Sequence, residues 1–287
     1  MISNPGTLGE SIEIVSTILS EAGIENSRRE AHLLLQYVTG KSVTDLRGFP
    51  KATLYADVWN KVLLLTKRRA QHEPMAYLIK NKEFWSLPFE VTEDTLIPRP
   101  DSETLIETIL DFTPNANARL NILDLGTGCG CLLGALLTEF KYAVGVGVDA
   151  SKSTSSTARR NMQRLGFIDR AEIRTGNWGD GIKTSFDIIV CNPPYIPSGE
   201  IEMLDIGVRK FEPHMALDGG RDGLESYRII AREIHRLLTK SGLAAVELGL
   251  GQAPEVTHIF EKNGLKIKKI TQDLAFQNRC LLATVRN

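Results

Sequence analysis

The chain has 287 residues, of which 42% are hydrophobic and 24% are charged, and its formal net charge is −1. This length suits an α/β domain with a smaller partner domain, and the composition is that of an ordinary globular protein. A general nucleic-acid binder usually carries an excess of positive charge, because phosphate contacts supply most of its affinity. The near-neutral balance therefore favours a protein or a small molecule as the substrate.

The cysteines and the N-terminal residues indicate the cellular compartment. Cys129, Cys131, Cys191 and Cys280 lack the paired C-x-x-C spacing of a zinc site, so we predict no metal site and buried thiols in a reducing compartment. Residues 1–10 show no secretory signal, and no segment reaches the ~20 apolar residues of a membrane span. We expect a cytoplasmic protein that does not bind a membrane.

The N-terminal part of the sequence has the periodicity of helices. Apolar residues recur at every third or fourth position from Leu8 to Leu19, and Gly23 follows as a stop signal. Further helices are predicted near residues 28–38 and 56–70. This pattern predicts a small helical domain over residues 1–82.

A change of character follows in residues 83–101, which we predict to be a β-hairpin and a linker. Aromatic and β-branched residues between Phe84 and Val91 favour a hairpin. Pro98 and Pro100 then restrict the backbone, and Asp101 is predicted to cap the next helix. The catalytic domain is predicted to occupy residues 102–287.

From residue 121 the sequence alternates strands with helices, which is typical of a parallel sheet. Five parallel strands are predicted at residues 121–125, 143–148, 171–174, 186–191 and 243–248. The last two predicted strands, residues 265–270 and 280–285, are joined by a loop too short for a crossover helix, so they should pair antiparallel. The sequence predicts a mostly parallel sheet with a terminal antiparallel pair.

A glycine-rich turn follows the first predicted strand of this sheet. It consists of Gly126, Thr127, Gly128, Cys129 and Gly130. Alternating glycines permit a tight turn and let a ligand approach the main chain closely. The spacing is G-x-G-x-G rather than the G-x-G-x-x-G of dinucleotide-binding folds, which weakens an NAD-binding interpretation. A turn that serves only close packing is the alternative.

Two further residues indicate a nucleoside. Asp149 lies at the end of the second predicted strand, where a carboxylate can accept both ribose hydroxyls of S-adenosylmethionine or NAD. Its alternative role is to cap the next helix. Trp178 follows the third strand and can lie along an adenine face, or else belong to the core.

The tetrapeptide Asn192-Pro193-Pro194-Tyr195 follows the fourth predicted strand, at the edge where open α/β sheets bind ligands. An amide nitrogen is a poor nucleophile, because resonance shares its lone pair with the carbonyl group. The Asn192 side-chain oxygen and the Pro193 carbonyl can accept its two N–H bonds, and the prolines hold these acceptors in place. Tyr195 can cover the planar group. The motif predicts methylation of a planar amide or amine nitrogen.

These motifs closely resemble those of the HemK/PrmC family of protein-(glutamine-N5) methyltransferases, and the match covers nearly the whole chain. The matching segments are Ile97-Pro98-Arg99-Pro100-Asp101-Ser102-Glu103, the glycine turn, Val148-Asp149, Asn192-Pro193-Pro194-Tyr195, Phe211-Glu212-Pro213, and Asp222-Gly223-Leu224 with Tyr227-Arg228. The resemblance implies an α/β fold, that of a Rossmann-like class I S-adenosylmethionine-dependent methyltransferase preceded by a helical bundle.

The resemblance also implies the substrate, which is the glutamine of the Gly-Gly-Gln motif in class 1 peptide chain release factors. The implied catalytic and substrate-binding residues are Asn192, Pro193, Pro194 and Tyr195. The residues implied to bind S-adenosylmethionine are Gly126, Thr127, Gly128, Cys129, Gly130, Asp149, Trp178 and Asn192. We expect a monomer, with the helical domain helping to hold the release factor and with no stably bound nucleic acid.

The sequence departs from the family pattern at three positions. Asn177 replaces the usual Asp before Trp178, which puts an adenine contact from this position in doubt. Ser102 replaces the usual Thr, and Phe276 stands where the family often has Gly.

Two other functions compete with glutamine methylation. A nucleic-acid amino methyltransferase is the first, because adenine N6 and cytosine N4 present the same planar NH₂ group to similar N-P-P-[YFW] motifs. The near-neutral charge and the lack of a base-recognition domain argue against it. A binding protein that has lost activity is the second, and the intact Asn192 motif beside an intact glycine turn argues against that.

Overall fold

The computed structural model describes residues 6–286 of the chain. The helices of this part are α1 (Leu8–Glu21), α2 (Ser27–Thr39), α3 (Val43–Gly48), α4 (Ala56–Ala70), α5 (Met75–Leu78), α6 (Glu103–Phe112), α7 (Cys131–Glu139), α8 (Lys152–Arg164), α9 (Ile206–Phe211), α10 (Glu225–Leu237) and α11 (Ala253–Lys262). The strands are β1 (Lys82–Phe84), β2 (Leu87–Phe89), β3 (Asn121–Leu125), β4 (Val144–Asp149), β5 (Ala171–Thr175), β6 (Phe186–Cys191), β7 (Leu238–Glu247), β8 (Leu265–Gln272) and β9 (Asn278–Val285).

The chain divides into two compact units. The first comprises residues 1–80 together with 205–211, and the second comprises residues 81–204 together with 212–287. The helix α9 thus belongs to the first unit, although the sequence pattern placed its residues in the catalytic domain. The predicted domain boundaries at residues 82 and 101 stay a prediction.

The first unit is a helical domain built on amphipathic helices. Leu8, Val15 and Leu19 on α1 are buried against apolar residues of α2 and α4, as the predicted helical periodicity requires. The helix α1 begins at Leu8 because the Thr7 hydroxyl accepts a hydrogen bond from the Glu10 N–H group at 3.3 Å. The short helix α3 was not predicted, since six residues are too few to show a period.

The second unit contains a seven-stranded sheet in the order β5-β4-β3-β6-β7-β9-β8. The strands β5, β4, β3, β6 and β7 are parallel, whereas β9 pairs antiparallel with both β7 and β8. This arrangement confirms the predicted fold class, including the terminal antiparallel pair. The predicted hairpin is also present, because β1 and β2 pair antiparallel.

The strand order reverses between β3 and β6. The chain runs outward from β3 to β4 and β5 and then returns to place β6 on the other side of β3. Such a switch point leaves a crevice beyond the carboxyl ends of the two central strands, where open α/β sheets bind ligands. Leu125 pairs with both Val148 and Cys191, so the loops after β3, β4 and β6 begin side by side.

The predicted N-cap at Asp101 is wrong. A 3₁₀ turn over Pro100–Ser102 precedes α6, and Ser102 occupies the position before its first residue. Proline is pre-organised for the first turn of a helix, so the helical turn already begins at Pro100 and Asp101 lies inside it. The Asp101 carboxylate instead lies 3.5 Å from the Arg279 guanidinium.

No helix within residues 6–286 is both long enough and apolar enough to cross a membrane.

The central strand β3 carries a buried ionisable group. Asp124 on β3 is fully buried, and its carboxylate accepts a hydrogen bond of 2.6 Å from the Thr127 hydroxyl. Burial raises the pKa of Asp124 to about 7, and the hydrogen bond from Thr127 opposes that rise. The folded state therefore favours the protonated carboxyl group.

This raised pKa predicts how stability depends on pH. The contribution of Asp124 to the free energy of unfolding is fully present below the unfolded-state pKa of about 4 and is lost as the pH rises through about 7. Asp124→Asn removes this titration, so its stability relative to the parent protein should increase by about 2 kcal/mol between pH 5 and pH 8. Urea denaturation at both pH values measures the difference, and a pH-independent difference would contradict the assignment.

Candidate active site

A cavity of about 300 Å³ opens at the carboxyl edge of the parallel strands. Its volume lies within the usual range for ligand pockets. The predicted site residues that line it are Gly126, Thr127, Gly128, Cys129, Asp149, Trp178, Asn192 and Pro194. Gly130, Pro193 and Tyr195 are not among the lining residues. The fold thus brings to one crevice residues as far apart in the sequence as Gly126 and Pro194.

The glycine turn forms the floor of this cavity at the end of β3. Gly126, Gly128 and Gly130 have φ values of +72°, +56° and +87°, which side chains with a Cβ atom rarely adopt. The N–H groups of Gly126 and Thr127 both donate to the Val148 carbonyl oxygen at 2.9 Å. These bonds tie the turn to the end of β4 and leave main-chain atoms accessible to a ligand.

Asp149 ends β4 and has a fixed carboxylate. One carboxylate oxygen accepts the Gly128 N–H at 3.0 Å, and the other accepts the Ser151 N–H at 2.9 Å. Burial raises the pKa of Asp149, while these two hydrogen bonds favour its ionised form. The alternative capping role does not apply, since Ser151 caps α8 by accepting the Thr154 N–H. Each carboxylate oxygen keeps a lone pair for a ligand hydroxyl.

Trp178 lies at the border between the core and the cavity, and its contact with adenine stays a prediction. It is half-buried and packs against the core of the second unit, while its ring also lines the cavity. Gly126 lies directly beside this ring, because a Cβ atom built on it would be in van der Waals contact with the Trp178 ring at 3.7 Å. Asn177, which replaces the usual Asp, lines the same cavity.

The Asn192 tetrapeptide leaves β6 in a conformation fixed by its neighbours. The Gln252 amide group donates to the Tyr195 carbonyl oxygen at 2.9 Å. Gly219 and Gly223 pack directly against the Tyr195 backbone, where a Cβ atom would approach within 2.8 Å and 2.4 Å. Gly219 and Gly223 therefore support the backbone of the tetrapeptide rather than the glycine turn.

The segment before α6 forms another wall of the cavity. Arg99 lines it, and the Glu212 carboxylate holds this segment by accepting the Arg99 guanidinium at 2.5 Å and the Ile97 N–H at 3.1 Å. Glu212 is buried. Two motifs far apart in sequence, residues 97–103 and 211–213, are thus joined through one carboxylate.

Glu247 is a site residue that the sequence analysis missed. It ends β7, is buried, and accepts hydrogen bonds from the Ser102 hydroxyl at 2.5 Å and the Tyr195 hydroxyl at 3.3 Å. Burial raises its pKa to about 7, and the bond from Ser102 and the charge of Arg279 oppose the rise. The one signal available was a glutamate within the otherwise apolar run of residues 243–248, because a glutamate is almost never fully buried unless it is paired.

Cysteine chemistry does not fit this site. Burial raises the pKa of the Cys191 thiol well above its usual range, so the thiol stays protonated. Within residues 6–286, no group of three or more histidine, cysteine or acidic side chains is arranged to hold a metal ion.

The cavity fits the parts of S-adenosylmethionine. Asp149 offers a fixed carboxylate for the ribose hydroxyls, and the Trp178 ring offers a flat face for adenine. The glycine turn lets the ligand approach the main chain, and Asn192 lies next to the turn, with its backbone carbonyl oxygen 3.9 Å from a Cβ atom built on Gly126. The nucleoside and the reactive group would thus meet beside Asn192.

Comparison with known proteins agrees with this arrangement. The family described as PrmC N-terminal domain matches residues 10–79, and the Methyltransferase small domain matches residues 101–209. A solved structure of a methyltransferase from Pyrococcus furiosus is 17% identical, with a TM-score of 0.52 over 81% of this chain and all of that one. At this identity the likeness shows the fold.

Curated relatives of similar length have a higher sequence identity to this chain than that structure has. The release factor glutamine methyltransferase of Rhodospirillum rubrum is 40% identical over 97% of this chain and 85% of its own length. The release factor glutamine methyltransferase of Caulobacter vibrioides is 38% identical over 92% of this chain and 91% of its own. The chain belongs to the family of release factor glutamine methyltransferases, which are S-adenosylmethionine-dependent enzymes.

Proposed function

We propose that this enzyme methylates the side-chain N5 of the glutamine in the Gly-Gly-Gln motif of class 1 peptide chain release factors, and thereby tunes translation termination. The observation that carries the proposal is the placement of Asn192 beside the glycine turn and Asp149, at the switch point of the sheet. The release factor glutamine methyltransferases that the chain resembles over most of its length support the same reading. The release factor would be a transient protein substrate.

The chemistry requires acceptors rather than a charged base. S-adenosylmethionine, when bound, supplies an electrophilic methyl group on a positively charged sulfur. The Asn192 side-chain oxygen and the Pro193 carbonyl oxygen would accept the two N–H bonds of the glutamine amide and favour a pyramidal nitrogen. Once the nitrogen carries the methyl group it would have one N–H bond more than the product amide, and the two acceptors would hold these N–H bonds while one proton is lost to water.

The prolines make these acceptors ready before the substrate arrives. Pro193 has no N–H group to compete for the substrate, and Pro193 and Pro194 together restrict the backbone after β6. Pro193 is buried, and the Pro194 side chain lines the cavity. We propose that Tyr195, whose hydroxyl binds Glu247, closes the site beside the planar group.

Methylation of a nucleic-acid amino group is the competing function. The same two acceptors would suit adenine N6 or cytosine N4, so the tetrapeptide by itself does not distinguish them. The net charge of −1 and the match to release factor glutamine methyltransferases over nearly the whole chain support the protein substrate. We also propose a cytoplasmic monomer that binds no nucleic acid stably.

Transfer of label tests the substrate. The enzyme is incubated with methyl-labelled S-adenosylmethionine and a class 1 release factor, the same factor with its Gly-Gly-Gln glutamine changed to alanine, or DNA and RNA. We expect label in the unchanged release factor alone. Label in nucleic acid but not in the release factor would overturn the proposed function.

Asn192→Ala tests the acceptor. Removal of one preorganised polar partner should lower kcat by about 10²–10³ and leave the fold intact, as measured by single-turnover kinetics and circular dichroism. Asn117→Ala is the matched control, because Asn117 is exposed and lies outside the cavity. An unchanged rate for Asn192→Ala would show that the acceptor is elsewhere.

Asp149→Asn tests the ribose contact. An asparagine side chain would turn an N–H group toward the Gly128 or Ser151 N–H, so the carboxylate contacts are lost together with the charge. We expect the Kd of S-adenosylmethionine to rise about 10- to 100-fold in calorimetric titration. Asp169→Asn on the exposed surface should bind the cofactor normally. Equal affinity of the two variants would contradict the role of Asp149.

A further inference from the structure

The orientation of the Asn192 side chain decides what the site can do. A carboxamide has an accepting oxygen at one end and a donating NH₂ group at the other, and the two ends have nearly the same shape. Only the oxygen can accept an N–H bond of the substrate amide. The NH₂ group of Asn192 donates to the Ser102 hydroxyl at 3.2 Å, which turns the oxygen away from Ser102.

A serine hydroxyl does not by itself fix this orientation, because it can accept a hydrogen bond or donate one. In this site the single hydroxyl hydrogen of Ser102 is already engaged. It is donated to the Glu247 carboxylate at 2.5 Å, a distance typical of a charge-assisted bond. Ser102 therefore offers Asn192 only lone pairs, and these bind the NH₂ end.

Glu247 is itself held as an acceptor. Val246 pairs with Cys191, so Glu247 lies at the end of β7 beside Asn192 at the end of β6. The other oxygen of Glu247 accepts the Tyr195 hydroxyl at 3.3 Å. Burial raises the pKa of Glu247 to about 7 and the nearby Arg279 guanidinium opposes that rise, so above this pH the ionised carboxylate can only accept hydrogen bonds. Arg279 is fixed by Asp273 at 3.1 Å and Asp101 at 3.5 Å.

We propose that Ser102 and Glu247 are positioning residues that set the direction of the Asn192 carboxamide, so that its oxygen faces the substrate nitrogen. The hydrogen bonds run in one direction, from the Asn192 NH₂ group to Ser102 and from Ser102 to Glu247. This inference rests on the proposed function, since it explains how the acceptor of that reaction is oriented. It assigns neither residue a contact with the reacting atoms.

This chain of hydrogen bonds, which we call the Ser102–Glu247 relay, predicts a specific pattern of kinetic effects at pH 8, where Glu247 is ionised. Ser102→Ala should lower kcat about 10- to 100-fold, because Asn192 can then present either end to the substrate. Ser102→Thr keeps the hydroxyl and should retain the parent kcat. The Kd of S-adenosylmethionine should stay within about twofold in both variants, as expected for residues that orient an acceptor.

Glu247→Gln makes a complementary change. A glutamine can donate to Ser102, and the Ser102 hydrogen would then turn toward Asn192 and favour the reversed amide. We expect a loss of kcat at least as large as that of Ser102→Ala. Should Glu247→Gln fail to fold, the comparison of Ser102→Ala with Ser102→Thr decides the matter alone.

A double-mutant cycle separates positioning from general destabilisation. In an Asn192→Ala background the amide is absent, so Ser102→Ala should cause no further loss of kcat. Independent losses that multiply would overturn the proposal, because they would mean that Ser102 acts without Asn192.

A substrate-free measurement keeps this inference distinct from the proposed function. The side-chain NH₂ resonances of Asn192, assigned by their loss in Asn192→Ala, should exchange with water at least about 10-fold more slowly than those of exposed Asn117. Ser102→Ala should remove this protection and Ser102→Thr should keep it. Fast exchange of Asn192 in the parent protein would overturn the relay, even if release factors are methylated. Slow exchange without such methylation would refute the proposed function alone.

Discussion

The parallel pairing of β3 with β6 is the constraint on which the site depends. The register that places Leu125 opposite Cys191 makes Gly126 and Asn192 the next residues on neighbouring strands. The same register, continued to β4 and β7, brings Asp149 to one side and Glu247 to the other. A shift of β6 by one residue would turn Asn192 to the opposite face of the sheet and separate this proposed acceptor from the cavity.

The two proposed acceptors are neutral, and a group of charged side chains lies next to them. Asn192 and Pro193 carry no formal charge, which suits a substrate that is itself a neutral amide. Glu247, Arg279, Asp273 and Asp101 form the charged group behind them. A low local dielectric strengthens such hydrogen bonds, so a buried carboxylate can determine which group donates and which accepts in the hydrogen bonds that lead to it.

Much of this arrangement could be predicted from the sequence because it is local. The alternation of strands and helices, the glycine turn after β3 and the tetrapeptide after β6 are each encoded within a few consecutive residues. The Ser102–Glu247 bond joins residues 145 positions apart, and no short pattern encodes it. The wrong assignment of Asp101 has a local cause, since the helical signal of Pro100 outweighed the capping preference of aspartate. The helix α9 is too short for its pattern to reveal that it belongs to the helical unit.

The identity of the atom that receives the methyl group tests the account most directly. A class 1 release factor is treated with this enzyme and deuterated-methyl S-adenosylmethionine, and its peptides are fragmented by tandem mass spectrometry. The account predicts a single labelled methyl group on the side-chain nitrogen of the Gly-Gly-Gln glutamine. A methyl group on any other residue, or an unlabelled glutamine after full incubation, would contradict it.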